Sequence, residues 1–422
     1  MSDLLLHPPR SGAPVPTTLA TPAPAPAPTP ASPVAAALRA PGVARLLALS
    51  LVARAPEAVL GLLFILRVRD LGGSYALGGA VAAAGALGIA AGAPLLGRAI
   101  DRRGQLLVLT VSAVVAAATL LAAGLLPAGT SPLALLPLAV IGGAAQPPVA
   151  ACLRTLFRRM LPDPDVRHAA LAVEASLQEL SFMVGPLVFV SLVAAHDPAL
   201  GMVFAAAALL LSTLAFAGSR PSRTMPALRS AGSRGGALRS PAIRTLLAVG
   251  LGVGATFGAA EVTITAAAEH AGGAGTVGLL LAAYGTGSLI AGLYAASRGA
   301  SPHPIRTLTV LLVAAAAGHG LLAVTAGNLW ALGGALMLAG AAVAPLFAVV
   351  YALTGELAAK GTTTEAYTWL GSGIFAGAGL GSALGGVLID GLGVASAFAL
   401  AAATTAAAAL VVWLAADSLR AS

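Results

Sequence analysis

The amino-acid sequence predicts an all-α membrane protein: twelve transmembrane helices arranged as two six-helix bundles related by pseudo-symmetry. Three observations carry that expectation. The first is charge, because only 9% of the 422 residues are charged while 58% are hydrophobic. A water-soluble domain carries roughly a quarter charged residues, so lipid must replace water around most of this surface. The second is length, since apolar segments of 20–27 residues recur along the chain. Each is long enough to cross a bilayer core of about 30 Å. The third is an internal repeat, in which an offset of 200 residues matches Gly85 with Gly285, Gly92 with Gly292 and Arg98 with Arg298.

Residues 1–42 differ from the rest. The run "TPAPAPAPTPASP" places proline at nearly every second position, which predicts an extended, disordered cytoplasmic tail rather than a helix. The start "MSDLLLHPPR" lacks the basic opening and long apolar run of a signal peptide. Apolar segments follow near 43–67, 75–99, 105–126, 133–157, 169–195 and 198–217, then 243–268, 274–297, 305–326, 328–354, 364–389 and 393–416. Their alanine and glycine content suits close helix–helix approach in lipid. Between the two sets, residues 219–242, rich in Ser, Gly, Pro and Arg, read as a cytoplasmic linker between bundles at 43–218 and 243–417. Trp330 and Trp413 fall near span ends as interfacial anchors.

Arginine placement sets the expected orientation. The loops after even-numbered segments carry Arg98, Arg102, Arg103, Arg154, Arg158, Arg159, Arg167, the linker arginines, Arg298 and Arg306. The opposite loops hold only Arg67 and Arg69, partly offset by Asp70. Both termini are therefore expected in the cytoplasm. Arginine supplies all but one of the 23 basic residues and alanine dominates, a composition typical of a GC-rich bacterial genome and hence of a bacterial plasma membrane.

The net charge of +8 does not point to nucleic acid, because no basic face or basic–aromatic stripe is present. The single cysteine, Cys152, excludes an intrachain disulfide and a cysteine metal cluster, and packs as a small apolar residue. No nucleotide-binding loop, nucleophile motif or His/Asp metal cluster is present, so neither an enzyme nor a metal or other cofactor is expected.

The stretch "GRAIDRRGQ", residues 97–105, gathers an aspartate and three arginines between two apolar runs. The arginines hold the loop at the cytoplasmic face, and Asp101 is an acid that a nearby helix N-terminus would attract. With Gly97, Asp101, Arg102 and Gly104, the stretch resembles the loop motif G-x-x-x-D-[RK]-x-G-[RK] of the major facilitator superfamily of secondary transporters; Gln105 departs from it. The resemblance implies a conformational latch in which an arginine and the start of the eleventh helix hold the aspartate, favouring an outward-open state. That helix opens with Thr362 to Glu365, which has capping-box spacing. A second family motif, in the fifth helix, is associated with antiporters and survives only at Gly185 and Pro186, expected to bend the helix. The eleventh helix repeats its glycine spacing at Gly377, Gly381, Gly385 and Gly386. The arginine motif expected in the fourth helix is absent, and Pro147 and Pro148 stand there instead, predicting a kink.

Charges inside the membrane each need a reason, since one at mid-bilayer costs about 2.5–3.5 kcal/mol on insertion scales. In the first segment Ser50, Arg54, Glu57 and Gly61 form a polar stripe on which Arg54 and Glu57 can pair. In the seventh, Gly250, Gly254, Gly258 and Glu261 share a face without a basic neighbour, making Glu261 the first candidate for carrying a proton. The fifth offers Glu174, Gln178 and Ser181 on one stripe, with Glu179 turned away by about 100°; Arg154 or Arg167 can meet Glu174. Gln146, Tyr284 and Ser288 are substrate-contact candidates, and His319 is expected to be structural.

The resulting expectation is a monomeric secondary transporter in the lipid bilayer, moving a small organic molecule by alternating access with protons as the coupling ion, in the direction of export. Proton-coupled import, uniport, and a non-transporting sensor on the same fold are the alternatives. Glu57, Glu179 and Glu261 suit a cationic or amphipathic substrate, and Arg54 leaves anions open.

Overall fold

The computed structural model describes residues 32–189, 197–225, 236–271 and 274–420, without the side chains of a few helical residues, Glu179, Gly185 and Pro186 among them. Among the described residues the spans are all helical. In chain order they are α1 Val43–Asp70, α2 Leu77–Arg103, α3 Gln105–Gly124, α4 Pro132–Met160, α5 Pro164–Phe189 and α6 Pro198–Ala217, of which all but α5 are long and apolar enough over their described residues to cross a membrane. The second set is α7 Pro241–Ala268, α8 Val277–Arg298, α9 Pro304–Thr325, α10 Leu329–Leu357, α11 Thr363–Leu392 and α12 Val394–Leu414. Helix starts follow local chemistry: the Asp197 carboxylate accepts the Leu200 N–H at 3.0 Å, and the Asn328 side chain accepts from Trp330 and Ala331. α5 begins at Pro164, ahead of the expected 169, because Asp163 accepts the Asp165 N–H at 2.8 Å and proline suits the first helical position.

Three spans are interrupted. α1 breaks at Ala55 and Pro56 and continues as a 3-10 turn over Glu57–Val59. α4 breaks between Ala145 and Pro148, and α10 at Ala341 and Ala342. In each case a proline lies at or just beyond the break (Pro56, Pro148, Pro345), where it lacks an N–H and its ring crowds the carbonyl four residues back. The expected kink at Pro147 and Pro148 is therefore a full interruption.

The tail expected at 1–42 is structured where it is described. Pro33–Arg39 is a helix, capped by Ser32, whose Oγ accepts the Ala35 N–H at 3.2 Å. The proline alternation ends at Pro33, and the alanines that follow are strong helix formers. Ala37 is fully buried, and this short helix packs against α5 and α8. Residues 1–31 lie outside the described part. Of the expected linker, Arg220–Arg223 and Ala237–Arg239 form short helical turns.

Arg67, which runs against the charge rule, has a structural explanation. It is buried at the end of α1, and its guanidinium donates to the carbonyls of Ala123 (3.1 Å), Gly124 (3.0 Å) and Leu126 (2.6 Å) and pairs with Asp70. It closes the carbonyls that the C-terminus of α3 leaves unsatisfied. Cys152 is buried as expected, and Trp330 and Trp413 stand exposed near span ends.

Glycines set the closest approaches. On α7, Gly254 and Gly258 face the carbonyls of Ile374 and Ala378; on α11, Gly377 and Gly381 face those of Leu251 and Ala255. A Cβ at any of the four would run into backbone, so the glycine row of α11 serves its packing on α7. The 200-residue repeat is also visible in packing. Gly92 of α2 lies against Ala144 at the break of α4, and Gly292 of α8 lies against Ala344 at the break of α10.

Substituting Gly377→Val should lower the thermal unfolding midpoint in detergent, at an overpacking cost of about 1–3 kcal/mol. Gly379→Val, where no atom lies within 4 Å, should leave the midpoint in place.

Candidate functional site

The two halves meet through polar contacts at the end that carries the arginine-rich loops. Asp101, at the end of α2, accepts the N–H groups of Thr364 (3.2 Å) and Glu365 (2.9 Å) at the start of α11. The first N–H groups of a helix have no partner within it, and its dipole favours an acid there. The capping box expected from Thr362 does not form: the Thr362 hydroxyl donates to the Ala359 carbonyl, and Asp101 caps α11 from another helix. Arg98 pairs with Glu365 of α11 at 2.7 Å rather than with Asp101, while Arg102 is exposed and has no described partner. Gly97 leaves room for Thr368 and Glu365, and Gly104 turns the chain at a φ of 88°, a conformation that favours glycine.

Further contacts join the halves at the same end. Arg167 pairs with Glu356 at 3.3 Å, Thr155 and Thr364 hydroxyls lie 3.2 Å apart, and the Ala300 N–H donates to Asp165 at 2.8 Å. Nearer the middle of the span, the Ser372 hydroxyl donates to the Ala90 carbonyl at 2.9 Å. Above this layer lies a cavity of about 1010 Å³ between the halves, whose lining reaches Val277 and Gly278 at the far end of α8. The cavity thus opens away from the arginine-rich end.

Its floor is an ion cluster. The buried Glu174 carboxylate accepts from Arg54 Nη1 (2.8 Å), Arg154 Nε (3.0 Å) and Arg154 Nη2 (2.8 Å). Arg154 Nη2 also donates to Gln178 Oε1 at 3.0 Å, and Tyr351 OH donates to the same oxygen at 3.1 Å. The Arg154 guanidinium lies 3.4 Å from the centre of the Tyr351 ring. From there an aromatic wall rises: Tyr351 stacks on Phe347 at 5.4 Å, Phe347 on Phe257 at 5.7 Å, and Phe257 meets the edge of Tyr284 at 6.3 Å. Glu57 lies within electrostatic reach of Arg54 and Arg154 but pairs with neither, and Glu261 lines the wall with no described partner for its carboxylate.

A sequence profile described as Major Facilitator Superfamily matches residues 46–266 and again 246–421. The chain belongs to the Major Facilitator Superfamily. It is accordingly a secondary transporter and not an enzyme. Similar solved structures include the human organic anion transporter MFSD10, 18% identical with a TM-score of 0.66 over 89% of this chain and 99% of that one. A bacterial homologue of the iron transporter ferroportin in an outward-facing state is 12% identical, with a TM-score of 0.70 over 89% and 99%. The E. coli fucose:proton symporter FucP is 15% identical, with a TM-score of 0.67 over 88% and 98%. At these identities the likeness concerns the fold. A search of curated protein sequences finds no significant match.

In this transporter the cavity brings together Arg54, Glu57, Gln146, Gln178, Glu261 and Tyr284 of the residues singled out in the sequence. Two others are placed differently. Glu174 is 2% exposed and sits beneath the wall as a counter-ion to two arginines. Ser288 is fully buried, and its hydroxyl accepts the Ala344 N–H at 3.2 Å, capping the second segment of the broken α10. The expected Arg54–Glu57 pair does not form, because the break at Ala55 and Pro56 removes the regular helical spacing and Arg54 reaches α5 instead. His319 is buried, with Nδ1 2.7 Å from the Ala315 carbonyl and Nε2 3.3 Å from the Tyr284 hydroxyl. Glu179, Gly185 and Pro186 lie on α5, but their side chains fall outside the described residues. The sequence reading missed Phe257, Phe347, Tyr351 and Tyr367. The signal available was the rarity of aromatic residues, 4% of the chain, combined with the four-residue spacing of Phe347 and Tyr351.

Glu174→Gln should destabilise the protein by about 3–5 kcal/mol, the usual cost of removing one partner from a buried ion pair, read as a lower unfolding midpoint in detergent. Asp101→Asn weakens the cap on α11 and should open the arginine-rich end. In a Cys152→Ser background, a cysteine at Thr155 should then react faster with a thiol reagent, whereas an unchanged rate would detach Asp101 from closure.

Proposed function

We propose that this transporter carries a small organic molecule across a bacterial plasma membrane by alternating access, with protons as the coupling ion and Glu57 and Glu261 as their carriers. The observation that carries the proposal is the cavity itself. It lies between the halves, reaches from the polar layer to the far end of α8, and presents two carboxylates without described ion-pair partners in a wall otherwise rich in apolar and aromatic groups. Carboxylates so placed can gain and lose protons as the cavity changes sides. With the arginine-rich loops and both termini in the cytoplasm, the arrangement is an outward-open monomer, closed on the cytoplasmic side by the Asp101 and Arg98 contacts with α11.

The solved relatives carry an organic anion, iron and a sugar by their descriptions, so the shared fold does not select a substrate. The partial pattern at Gly185 and Pro186 supports export. The described cavity wall instead favours movement of substrate and proton together, because Glu57, a carboxylate without a described hydrogen-bond or ion-pair partner, stands within electrostatic reach of the floor arginines.

Purified protein in liposomes should accumulate its substrate, found by screening organic acids, amines and sugars, only when a pH gradient is imposed. Glu261→Gln should abolish the dependence on that gradient. Unchanged coupling in this variant would remove Glu261 from the mechanism, and accumulation by the unaltered protein without regard to the gradient would overturn proton coupling.

A further inference from the structure

The floor of the cavity carries an uneven charge. Arg54 and Arg154 together bring two positive charges, and both guanidiniums bond to the single carboxylate of Glu174. Arg154 is the more engaged: Nε and Nη2 donate to Glu174 and Gln178, its face covers Tyr351, and only Nη1 has no described partner. Arg54 is less engaged. It spends one of a guanidinium's five donors on Glu174, lines the cavity, and has no other described partner. One positive charge therefore faces the cavity with free donors arranged in a planar fork, the geometry that receives a carboxylate.

The wall of the same cavity is aromatic. Phe347 and Phe257 stack in sequence from Tyr351, with interplanar angles of 19° and 12°, so a column of near-parallel rings lines it. Glu57 is the remaining acid within reach of the floor. It interacts electrostatically with Arg54 on its own helix and Arg154 on α4; Glu174 on α5, which also carries Glu179, bonds to those two arginines, and Tyr351 on α10, Tyr367 on α11 and Glu261 on α7 line the same cavity. Ionised, Glu57 neutralises the charge of Arg54; protonated, it leaves that charge available.

We infer that the floor is a seat for an organic acid, in which Arg54 binds the substrate's carboxylate, the aromatic wall takes its flat apolar body, and Glu57 competes with the substrate for Arg54. An acid then binds best when Glu57 carries a proton, so acid and proton occupy the cavity together and cross together. This rests on the transport reading for its consequence, but the seat itself is a binding property that exists without transport.

The experiment is equilibrium binding to the full-length protein in detergent, which needs no flux. The probes are 2-naphthoate, its neutral amide 2-naphthamide and the cationic 2-naphthylmethylamine. Naphthoate should bind and the other two should bind more weakly. Its affinity should fall by about tenfold between pH 5.5 and 8.5, a coupling of ordinary size between two sites. Glu57→Gln should flatten that dependence at the tight value. Arg54→Gln should abolish naphthoate binding, and Arg54→Lys, which keeps the charge but not the fork, should retain part of it. Preference for the cationic probe, naphthoate binding that survives Arg54→Gln, or a pH dependence unchanged in Glu57→Gln would each overturn the proposal. Tight, pH-linked naphthoate binding without flux in liposomes would leave the seat standing and remove the transport reading alone.

Discussion

One buried carboxylate holds the centre of this molecule together. Glu174 on α5 receives Arg54 from α1 and Arg154 from α4, and both arginines lie beside interruptions in their helices. Without that carboxylate, two guanidiniums would face each other in a low-dielectric interior, where unpaired charge is strongly unfavourable. With it, three helices of the first half share a polar junction, and Gln178 and Tyr351 extend the junction to α10 of the second half. The site is thus built on an interaction that also joins the halves.

The interrupted helices follow from the same constraint. Backbone freed from helical bonding is tolerated at membrane depth only where protein or a wet cavity receives it. The breaks of α1 and α4 border the cavity, and Pro56, Pro147 and Pro148 lack the N–H groups that would otherwise need partners. At the break of α10, Ser288 receives the Ala344 N–H. Proline and a buried serine are two answers to one requirement.

Much of this was legible in the sequence. The helical spans, the two-half plan and the meeting of Asp101 with the start of α11 could be read because lipid imposes a length on each helix and because the motif couples residue type to spacing. Several details could not. The Arg54–Glu57 pair was inferred from helical periodicity, which fails where Pro56 interrupts the helix. Thr362 has the spacing of a capping box, but spacing within one segment cannot reveal that Asp101, 263 residues from Thr364 in sequence, takes the capping position. Ser288 shares a face with Tyr284, yet which side of that face meets the cavity depends on the neighbouring helix. The sequence offers Arg154 or Arg167 as the partner of Glu174, but the choice of Arg154, the addition of Arg54 and the burial of the cluster depend on three-dimensional packing.

The two halves also close the arginine-rich end with opposite chemistry. In the first half, the last turn of α2 supplies the acid, Asp101, and the start of α11 supplies the N–H groups. At the position 200 residues later the acid is replaced by Ser301, so the loop after α8 cannot act in the same way. There the start of α5 supplies the acid instead: Asp165 accepts the Ala300 N–H, beside Gly299, whose φ of 78° turns the loop toward it. An acid therefore joins the halves at both pseudo-equivalent junctions, although its source is exchanged. The dipole of α11 strengthens the first contact because the acid meets that helix's own free N–H groups. The second has one hydrogen bond to a loop and no such reinforcement. The hydrogen bonding at this end is consequently asymmetric, with a helix-dipole reinforcement at the α2–α11 junction that the Asp165–Ala300 contact between α5 and the loop after α8 lacks.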